Sequence, residues 1–354
     1  FSNIPSKKIN NKLRRPSVVL AKTVSVLKEI SFLKNIYFVK KALNLLKKKI
    51  KNKQINIFLN YINQLKYILP IVSNIRLYYQ INALIKQYRP HTIIFTFENH
   101  AWEKFLINKI KHDFKTINKI AYQFTTITKD QFLKYSKNEF NPDYILSSGS
   151  KPHKYLKGIY KNKVKVLNFG SYRKQILLKK KSFYNKSFLL LPESPESETN
   201  DFIFMAINLA KNYKNCKFTL RLHPMSKSIE IINRINLQSV NLRNFFISNN
   251  SLEEDLNNNF FTIYRSSSLC ITAALNGLLP IYLSDNNFNL DPLHIINKKY
   301  KLHSVDDLKK ILSYSKTQNI RYQKKVGKFC SYYFEKPNHR KNFKLFNNLN
   351  QTVI

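Results

Sequence analysis

The feature that most constrains the fold is a repeated alternation of short apolar runs and longer segments with helical spacing after residue 90. The second half shows it most clearly. A buried-type run at 187–191 precedes a helix predicted over 199–213, and a second strand is predicted over 217–222. In the first half, further strands are predicted over 120–126 and 144–147. Alternating strands and helices are typical of parallel sheets covered by helices on both faces. The sequence therefore predicts an α/β chain with two doubly wound, Rossmann-like domains and a helical N-terminal region.

The length of 354 residues suits two domains of ordinary size. The composition changes at a basic, polar stretch that reads as a linker. The predicted segments are an N-terminal domain over 1–171 (helical over 1–90, α/β over 91–171), a linker over 172–186, a C-terminal domain over 187–330, and a tail or helix over 331–354.

The net charge of +41 suggests a polyanionic partner, either nucleic acid or an anionic membrane face. Only 11 of the 61 basic residues are arginine, the usual reader of phosphates and bases, which argues against nucleic acid. The abundance of Asn, Ile, Lys, Phe and Tyr with only five glycines indicates a genome biased toward A and T. Part of the positive charge is then the result of mutational drift at solvated surface positions. A nucleic-acid-binding protein remains the alternative of another class.

Nothing in the sequence predicts a membrane span, because no apolar run reaches the ~20 residues that a span needs. The three cysteines have no paired spacing, which favours neither a zinc site nor a disulfide framework and fits a reducing compartment. We therefore expect a cytoplasmic protein, with peripheral binding to the inner membrane as an open option. The chain begins at Phe1 rather than methionine, so a preceding segment is also open.

Two predicted strands end on groups that suit a phosphate. The run 218–224 stops on His-Pro, and the run 260–264 stops on an arginine and three serines before a helix. Ligands of open α/β sheets bind at the carboxyl ends of strands, and exposed amides and hydroxyls there can hold a phosphate. A polar strand exit or a single serine cap would explain either run alone, but not both together. The predicted phosphate-binding residues are Arg221, His223, Pro224, Arg265, Ser266, Ser267 and Ser268.

Candidate acid–base residues follow two other predicted strands. Glu98 and His100 come after the run 91–97, and Glu193 comes after 187–191. A carboxylate at such a position can take the proton from an attacking hydroxyl. The chain has no glycine-rich dinucleotide or P-loop motif and no Asp-x-Asp triplet. The sequence thus predicts no metal, with protein groups alone holding the phosphate charge.

Together these residues resemble GT-B glycosyltransferases, and more narrowly bacterial surface-carbohydrate enzymes related to sialyltransferases and polysialyltransferases. The likeness covers roughly 91–315. It rests on four motifs: Glu98 to Glu103, Leu191-Pro192-Glu193, His223-Pro224 and Ser266-Ser267. The resemblance implies two domains facing an interdomain cleft, in which the C-terminal domain binds the nucleotide sugar and the N-terminal domain presents the acceptor. It further implies a metal-independent transfer from a CMP-linked sugar, with no other cofactor, to a surface glycan or lipid-linked acceptor. It also implies catalytic roles for Glu98, His100, Glu193 and His223.

Departures from that family keep a second enzyme class open. Polysialyltransferases carry two acidic residues and a glycine where this chain has Pro192-Glu193-Ser194, so the base is not fixed. The Arg-x-His-Pro and Ser-Ser motifs also resemble those of CDP-glycerol glycerophosphotransferases. A CDP-polyol phosphotransferase is therefore an alternative, as is an inactive carbohydrate-binding scaffold.

Overall fold

The computed structural model describes most of the chain, with isolated positions in addition to the following ranges: 25–50, 65–129, 138–173, 176–178, 185–193, 196–226, 241–284 and 289–340. The predicted linker and C-terminal tail lie partly outside the described residues, as does Ser194. Two compact units are formed, one by residues 1–93 with 101–118 and the other by 94–100 with 119–354. The domain boundaries predicted from the sequence stay a prediction.

The first unit is helical in its described part. Tyr78 and Ile85 of one helix pack against Leu106 and Ile110 of another, and the Tyr78 hydroxyl donates to Asp113. The pKa of Tyr78 is raised to about 12, mainly by burial and further by the hydrogen bond to Asp113. The helices of this unit are α1 (Val26–Lys49), α2 (Leu65–Tyr88) and α3 (Ala101–Asp113). None of the described helices of the chain is both long and apolar enough to cross a membrane.

A four-stranded sheet precedes residue 170. Its strands lie in the order of the chain, and β2, β3 and β4 pair in parallel. The strands are β1 (Thr92–Thr96), β2 (Asn118–Tyr122), β3 (Tyr144–Ser147) and β4 (Lys165–Asn168), and helix α4 (Ser150–Tyr160) follows β3.

A six-stranded parallel sheet follows, with the order β10-β9-β8-β5-β6-β7. Its strands are β5 (Ser187–Leu191), β6 (Lys217–Leu220), β7 (Phe245–Ile247), β8 (Phe261–Tyr264), β9 (Leu279–Leu283) and β10 (Lys301–Leu302). The accompanying helices are α5 (Glu196–Asn212), α6 (Leu252–Asn258), α7 (Leu269–Leu275), α8 (Asp307–Leu312) and α9 (Lys316–Ser331).

Alternate side chains of β5 enter different cores, which explains its unbroken apolar sequence. Phe188 and Leu190 join one buried cluster, whereas Leu189 and Leu191 join the cluster on the opposite face. All five residues of this central strand are buried. Because strand side chains alternate between faces, helices must cover both sides of the sheet. The predicted fold class, two parallel α/β sheets with a helical N-terminal region, is confirmed.

After α9 the chain returns to the four-stranded sheet. The Lys151 amide donates to the Tyr332 carbonyl at 3.0 Å, and the Glu335 amide donates to the Ser148 carbonyl at 3.0 Å. The Ser148 hydroxyl also donates to the Tyr333 carbonyl, at 3.1 Å. These bonds hold residues 332–335 against the carboxyl end of β3. The segment after α9 is therefore hydrogen-bonded to the four-stranded sheet.

Candidate functional site

The strand order of the six-stranded sheet identifies where a ligand would bind. Counted along the sequence from β5, the order is 3-2-1-4-5-6, the arrangement of dinucleotide-binding domains. From β5 the chain builds outward through β6 and β7, then returns to place β8 on the other side of β5. The loops after β5 and β8 leave in opposite directions and open a crevice at their carboxyl ends. Glu193 and Arg265 are on these two loops.

His223 stands after the neighbouring strand β6, and a backbone contact orients its ring. The Met225 amide donates to His223 Nδ1 at 3.2 Å, within the short helical turn Pro224–Ser226. A neutral imidazole that accepts at Nδ1 carries its proton on Nε2. The half-buried ring is therefore prepared to donate a hydrogen bond from Nε2.

Arg221 has a protein partner that the sequence did not reveal. Its Nη1 donates to Asp255 Oδ2 at 2.7 Å and to the Asn250 carbonyl at 3.0 Å. Asp255 is 1% exposed and also accepts from the Ser248 hydroxyl at 2.6 Å. Asp255 lies in the first turn of α6, which begins with a capping box of Ser251 and Glu254, and its ion pair with Arg221 was missed. This pair gives Arg221 a structural role, and its predicted contact with a donor stays a prediction.

Residues 265–268 after β8 form a loop that we call the serine loop. Besides its own Arg265, this loop is contacted by the guanidinium of Arg173 from elsewhere in the chain. Arg173 Nη2 donates to the Ser268 hydroxyl at 2.9 Å, and the Arg173 guanidinium lies 5.0 Å from the centre of the Phe334 ring. Ser268 does not use its hydroxyl to cap α7. Arg173 falls in the predicted linker, 95 positions away from Ser268, so no local signal could have assigned it to the site.

The guanidinium of Arg265 contains a hydrogen-bond donor for which the described residues supply no acceptor. Its Nε is buried and has no hydrogen-bond partner within the described residues. Buried guanidinium donors are normally satisfied, so an acceptor from a bound molecule would complete this group. Next to it, Ser267 is buried and Ser266 and Ser268 are half-buried. The loop thus combines hydroxyls with two guanidinium groups, which suits an anion.

Glu98 and His100 form a pair on the loop after β1. Asn99 has a positive φ of 65°, a conformation that asparagine tolerates better than most residues. The turn brings Glu98 Oε2 within 2.6 Å of His100 Nε2. The side chain of His100 is 50% exposed and that of Glu98 is 27% exposed, so solvent and substrate can reach the pair. The sequence named both residues but not their contact.

Glu193, the other candidate base, is half-buried directly after β5. Its carbonyl accepts from the Thr199 hydroxyl of α5 at 2.8 Å, which fixes the backbone of this loop. The carboxylate is thereby held near the crevice expected between β5 and β8.

A buried carboxylate beneath the serine loop was also missed. The hydroxyl of Tyr264, the last residue of β8, donates to Asp291 Oδ1 at 2.7 Å, and the Leu293 amide donates to the same oxygen at 2.7 Å. Asp291 is fully buried, and its Oδ2 has no partner among the described residues. Burial raises the pKa of this carboxyl to about 6. An isolated aspartate before a proline carries no sequence signal for such a position.

No group of three His, Cys, Asp or Glu side chains in the described part of the chain is arranged to hold a metal ion. The three cysteines are all buried and free. Metal-independent chemistry stays a prediction.

Comparison with known proteins finds likenesses in structure only. No protein-family model matches the chain, and no curated protein matches it in sequence. Among solved structures it is similar to a variant of TarM from S. aureus in complex with Fondaparinux, alpha-GlcNAc-glycerol and UDP (12% identity, TM-score 0.44, covering 67% of this chain and 51% of TarM).

Two further structures show the same level of likeness. One is the pneumococcal O-GlcNAc transferase GtfA in complex with UDP and GlcNAc (11% identity, TM-score 0.46, 77% and 59% coverage). The other is the wall teichoic acid polymerase TagF (13% identity, TM-score 0.39, 82% and 75% coverage). The chain spans about half of TarM and three fifths of GtfA. At these identities and TM-scores, the activities of those proteins are not carried over to this chain.

Proposed function

We propose that the chain is a transferase that moves a nucleotide-activated sugar to a hydroxyl group of a surface glycan or lipid-linked acceptor. One observation carries the proposal. The oriented imidazole of His223 follows β6 and the serine loop follows β8, the two strands on either side of β5, at the carboxyl edge of a sheet with dinucleotide-binding strand order. Hydrogen-bond donors and cations gathered at that edge suit the phosphate of a nucleotide donor.

The proposed chemistry is a displacement at the sugar carbon that bears the phosphate. The acceptor oxygen forms a bond to that carbon, the bond from carbon to phosphate oxygen breaks, and the electron pair leaves with the nucleotide. His223 Nε2, the serine hydroxyls and Arg265 stabilise the charge that grows on the leaving phosphate. Donors fixed in advance around a developing charge are usually the largest contribution to such catalysis.

The acceptor proton goes to a carboxylate. The contact between Glu98 and His100 supports Glu98 as the base, because a neighbouring imidazole can orient the carboxylate and share the proton. Glu193 is the second candidate, supported by its place at the crevice beside β5.

The donor is proposed to be cytidine-linked, as the sequence resemblance implies. A CMP-linked, sialic-acid-like sugar is the first candidate. A CDP-polyol phosphotransferase is the second, and one observation favours it. Two guanidinium groups are present at the serine loop, because Arg265 begins it and Arg173 donates to its Ser268, and two cations match a diphosphate better than a monophosphate.

Peripheral binding to an anionic membrane face is proposed for α1. Large apolar side chains such as Leu27 and Leu33 are 80% and 66% exposed, and the last turn carries Lys47, Lys48 and Lys49. Exposed apolar groups flanked by lysines favour the interface of an anionic bilayer. Such a place would bring a cytoplasmic enzyme to a lipid-linked acceptor.

Thermal unfolding in the presence of nucleotides tests the proposal. A ligand that binds only the native state stabilises it by RT ln(1 + [L]/Kd), about 2.7 kcal/mol at a concentration of ~100 Kd. We expect CMP or CDP to raise the Tm more than UDP or GDP, and the shift to be lost in His223→Ala. The exposed His91→Ala is the matched control and should keep the shift. Absence of any shift, together with salt-sensitive binding to RNA or DNA, would favour the nucleic-acid alternative instead.

A further inference from the structure

A cationic groove is lined by residues other than those of the strand-end site. Its volume is about 1550 Å³, and its walls come from α4, from the segment before β10 and from α9. Lys298 and Lys299 lie in the segment before β10, whose first residue pairs with Tyr282 of β9. Tyr282 pairs in turn with Tyr264, the last residue of β8 before the serine loop, so the groove and the strand-end site have separate linings on the same sheet. None of the proposed donor-binding residues lines this groove.

The charge of the groove exceeds what the basic composition explains. Of its 17 lining residues, 7 are basic and none is acidic. The whole chain has 61 basic and 20 acidic residues in 354. Each wall contributes a pair of cations, and Lys129 adds a seventh; the pairs are Lys151 with Lys154, Lys298 with Lys299, and Arg321 with Lys325. Within the described residues, none of these seven forms an ion pair with a carboxylate.

Aromatic rings form an apolar lining between the cations. Tyr300 and Tyr322 are stacked with ring centres 4.4 Å apart, and Tyr314 meets Tyr300 edge-on at 5.3 Å. The Tyr322 hydroxyl donates to Asn297 Oδ1 at 3.0 Å, which fixes this ring. Lys151 Nζ lies 5.5 Å from the centre of the Phe329 ring. The groove therefore combines an apolar wall of packed rings with cations, most of which are exposed and can reach an anion.

We propose that this groove is a second binding site that holds a polyanionic glycan or polyol chain bearing phosphate or carboxylate groups. Like charges held together without partners repel one another, and a multivalent anion relieves that repulsion. The volume exceeds the range of about 300–1,000 Å³ that suits one small ligand, so several units of a chain fit. A concave groove does not admit a flat bilayer. Six of the seven cations are lysines and the rings already pack on one another, an arrangement poor in the free stacking faces that single-stranded nucleic acid uses.

Binding of labelled oligomers to the full chain tests this site. The probes are an oligomer of α2,8-linked sialic acid, an oligomer of glycerol phosphate, a single-stranded RNA of equal charge, and phosphatidylglycerol vesicles. The groove variant is Lys298→Gln/Lys299→Gln/Arg321→Gln/Lys325→Gln. Its matched control, Lys163→Gln/Lys211→Gln/Lys214→Gln/Lys310→Gln, removes the same charge from exposed positions outside the groove.

We expect one of the two polymers to bind, and the groove variant to lose about tenfold or more in affinity while the control loses much less. Salt should weaken binding to the wild type more than binding to the groove variant, because fewer ion contacts remain to be screened. Equal losses in both variants would overturn the proposal, since they would mean attraction to the net charge. Preference for RNA, or binding to vesicles alone, would overturn it as well.

The outcome is separable from that of the donor site. The groove variant should keep the thermal shift with CMP or CDP, which shows that it is folded. His223→Ala should keep polymer binding. Loss of both activities in the groove variant would contradict a second, independent site.

Discussion

At the scale of single residues, the chemistry depends on which hydrogen-bonding atoms the backbone occupies. The Met225 amide takes Nδ1 of His223 and leaves Nε2 as the donor. The loop at Asn99 turns two ordinary surface residues into a carboxylate–imidazole pair. Sequence patterns located the residues, because polar groups at strand ends are conspicuous beside apolar runs. They did not reveal the contacts, because these depend on backbone angles and on Arg173, far away in the chain.

The buried Asp291 gives the protein a specific dependence of stability on pH. Its pKa is about 6 in the folded state against an ordinary value of 3.8. The folded state therefore prefers the protonated form, and its advantage is complete below about pH 4. As the pH rises from about 4 to about 6, the unfolded chain releases this proton first, so the contribution of Asp291 to the free energy of unfolding falls. Above about pH 6 the contribution is constant.

We predict that Asp291→Asn removes this dependence. The amide oxygen can still accept from Tyr264 and Leu293, while no charge is left on the buried side chain. Urea unfolding between pH 4 and pH 7 measures the difference in stability between wild type and variant. Relative to the wild type, the variant should become more stable as the pH rises from 4 to 6. A difference that is the same at every pH would show that folding does not raise the pKa of Asp291.

At the scale of elements, buried parallel strands were predictable because both of their faces are apolar. The strand at Tyr144–Ser147 was predicted with its observed bounds. The strand predicted over 120–126 was wrong at its end, since β2 stops at Tyr122. Beyond it the Ile127 amide donates to the Tyr333 hydroxyl, at 2.7 Å, and not to a neighbouring strand. That bond joins residues 206 positions apart, so no local pattern could have predicted it.

Strand β10 and helix α9 were both missed, for different reasons. Strand β10 has only two residues, too few to show any periodicity. Helix α9 did carry a signal, because Ser315 and Gln318 form a capping box. Its basic, polar sequence hid the buried stripe that includes Val326 and Cys330.

Residues 332–335 pack closely against the start of α4, and this contact leads to a prediction for two glycines. A Cβ atom at Gly149 would lie 2.5 Å from the Tyr333 carbonyl oxygen, in a backbone contact that cannot yield without moving residues 332–335. At Gly158, within α4, a Cβ atom would meet nothing within 4 Å. We predict that Gly149→Ala lowers the free energy of unfolding by about 2 kcal/mol. Gly158→Ala should raise it by roughly 0.5–1 kcal/mol, as expected inside a helix.

Thermal or urea unfolding of the two variants measures both changes in the free energy of unfolding. Gly149→Ala with wild-type stability would mean that residues 332–335 do not pack on β3 as described.

At the scale of the whole molecule, charge is divided between two tasks. The strand-end site combines a few cations with hydroxyls and an oriented imidazole, whereas the groove combines seven cations with packed rings. The net charge of +41 made a polyanionic partner predictable from the sequence. It could not show where the charge gathers, because the wall from α4 is separated from the other two walls by more than a hundred residues.

The release of nucleotide from CMP-linked sugars and from CDP-glycerol, in the presence of surface polymer, tests the central claim most directly. His223→Asn keeps an oxygen that can accept from the Met225 amide but removes the donor at Nε2, whereas His223→Gln extends an amide N–H toward the place of Nε2. We predict that His223→Asn lowers the rate of release by about 10²-fold, by analogy with the loss of one oxyanion donor, and that His223→Gln retains more activity. A folded His223→Asn protein that releases nucleotide at the wild-type rate would contradict the proposed role of the strand-end site.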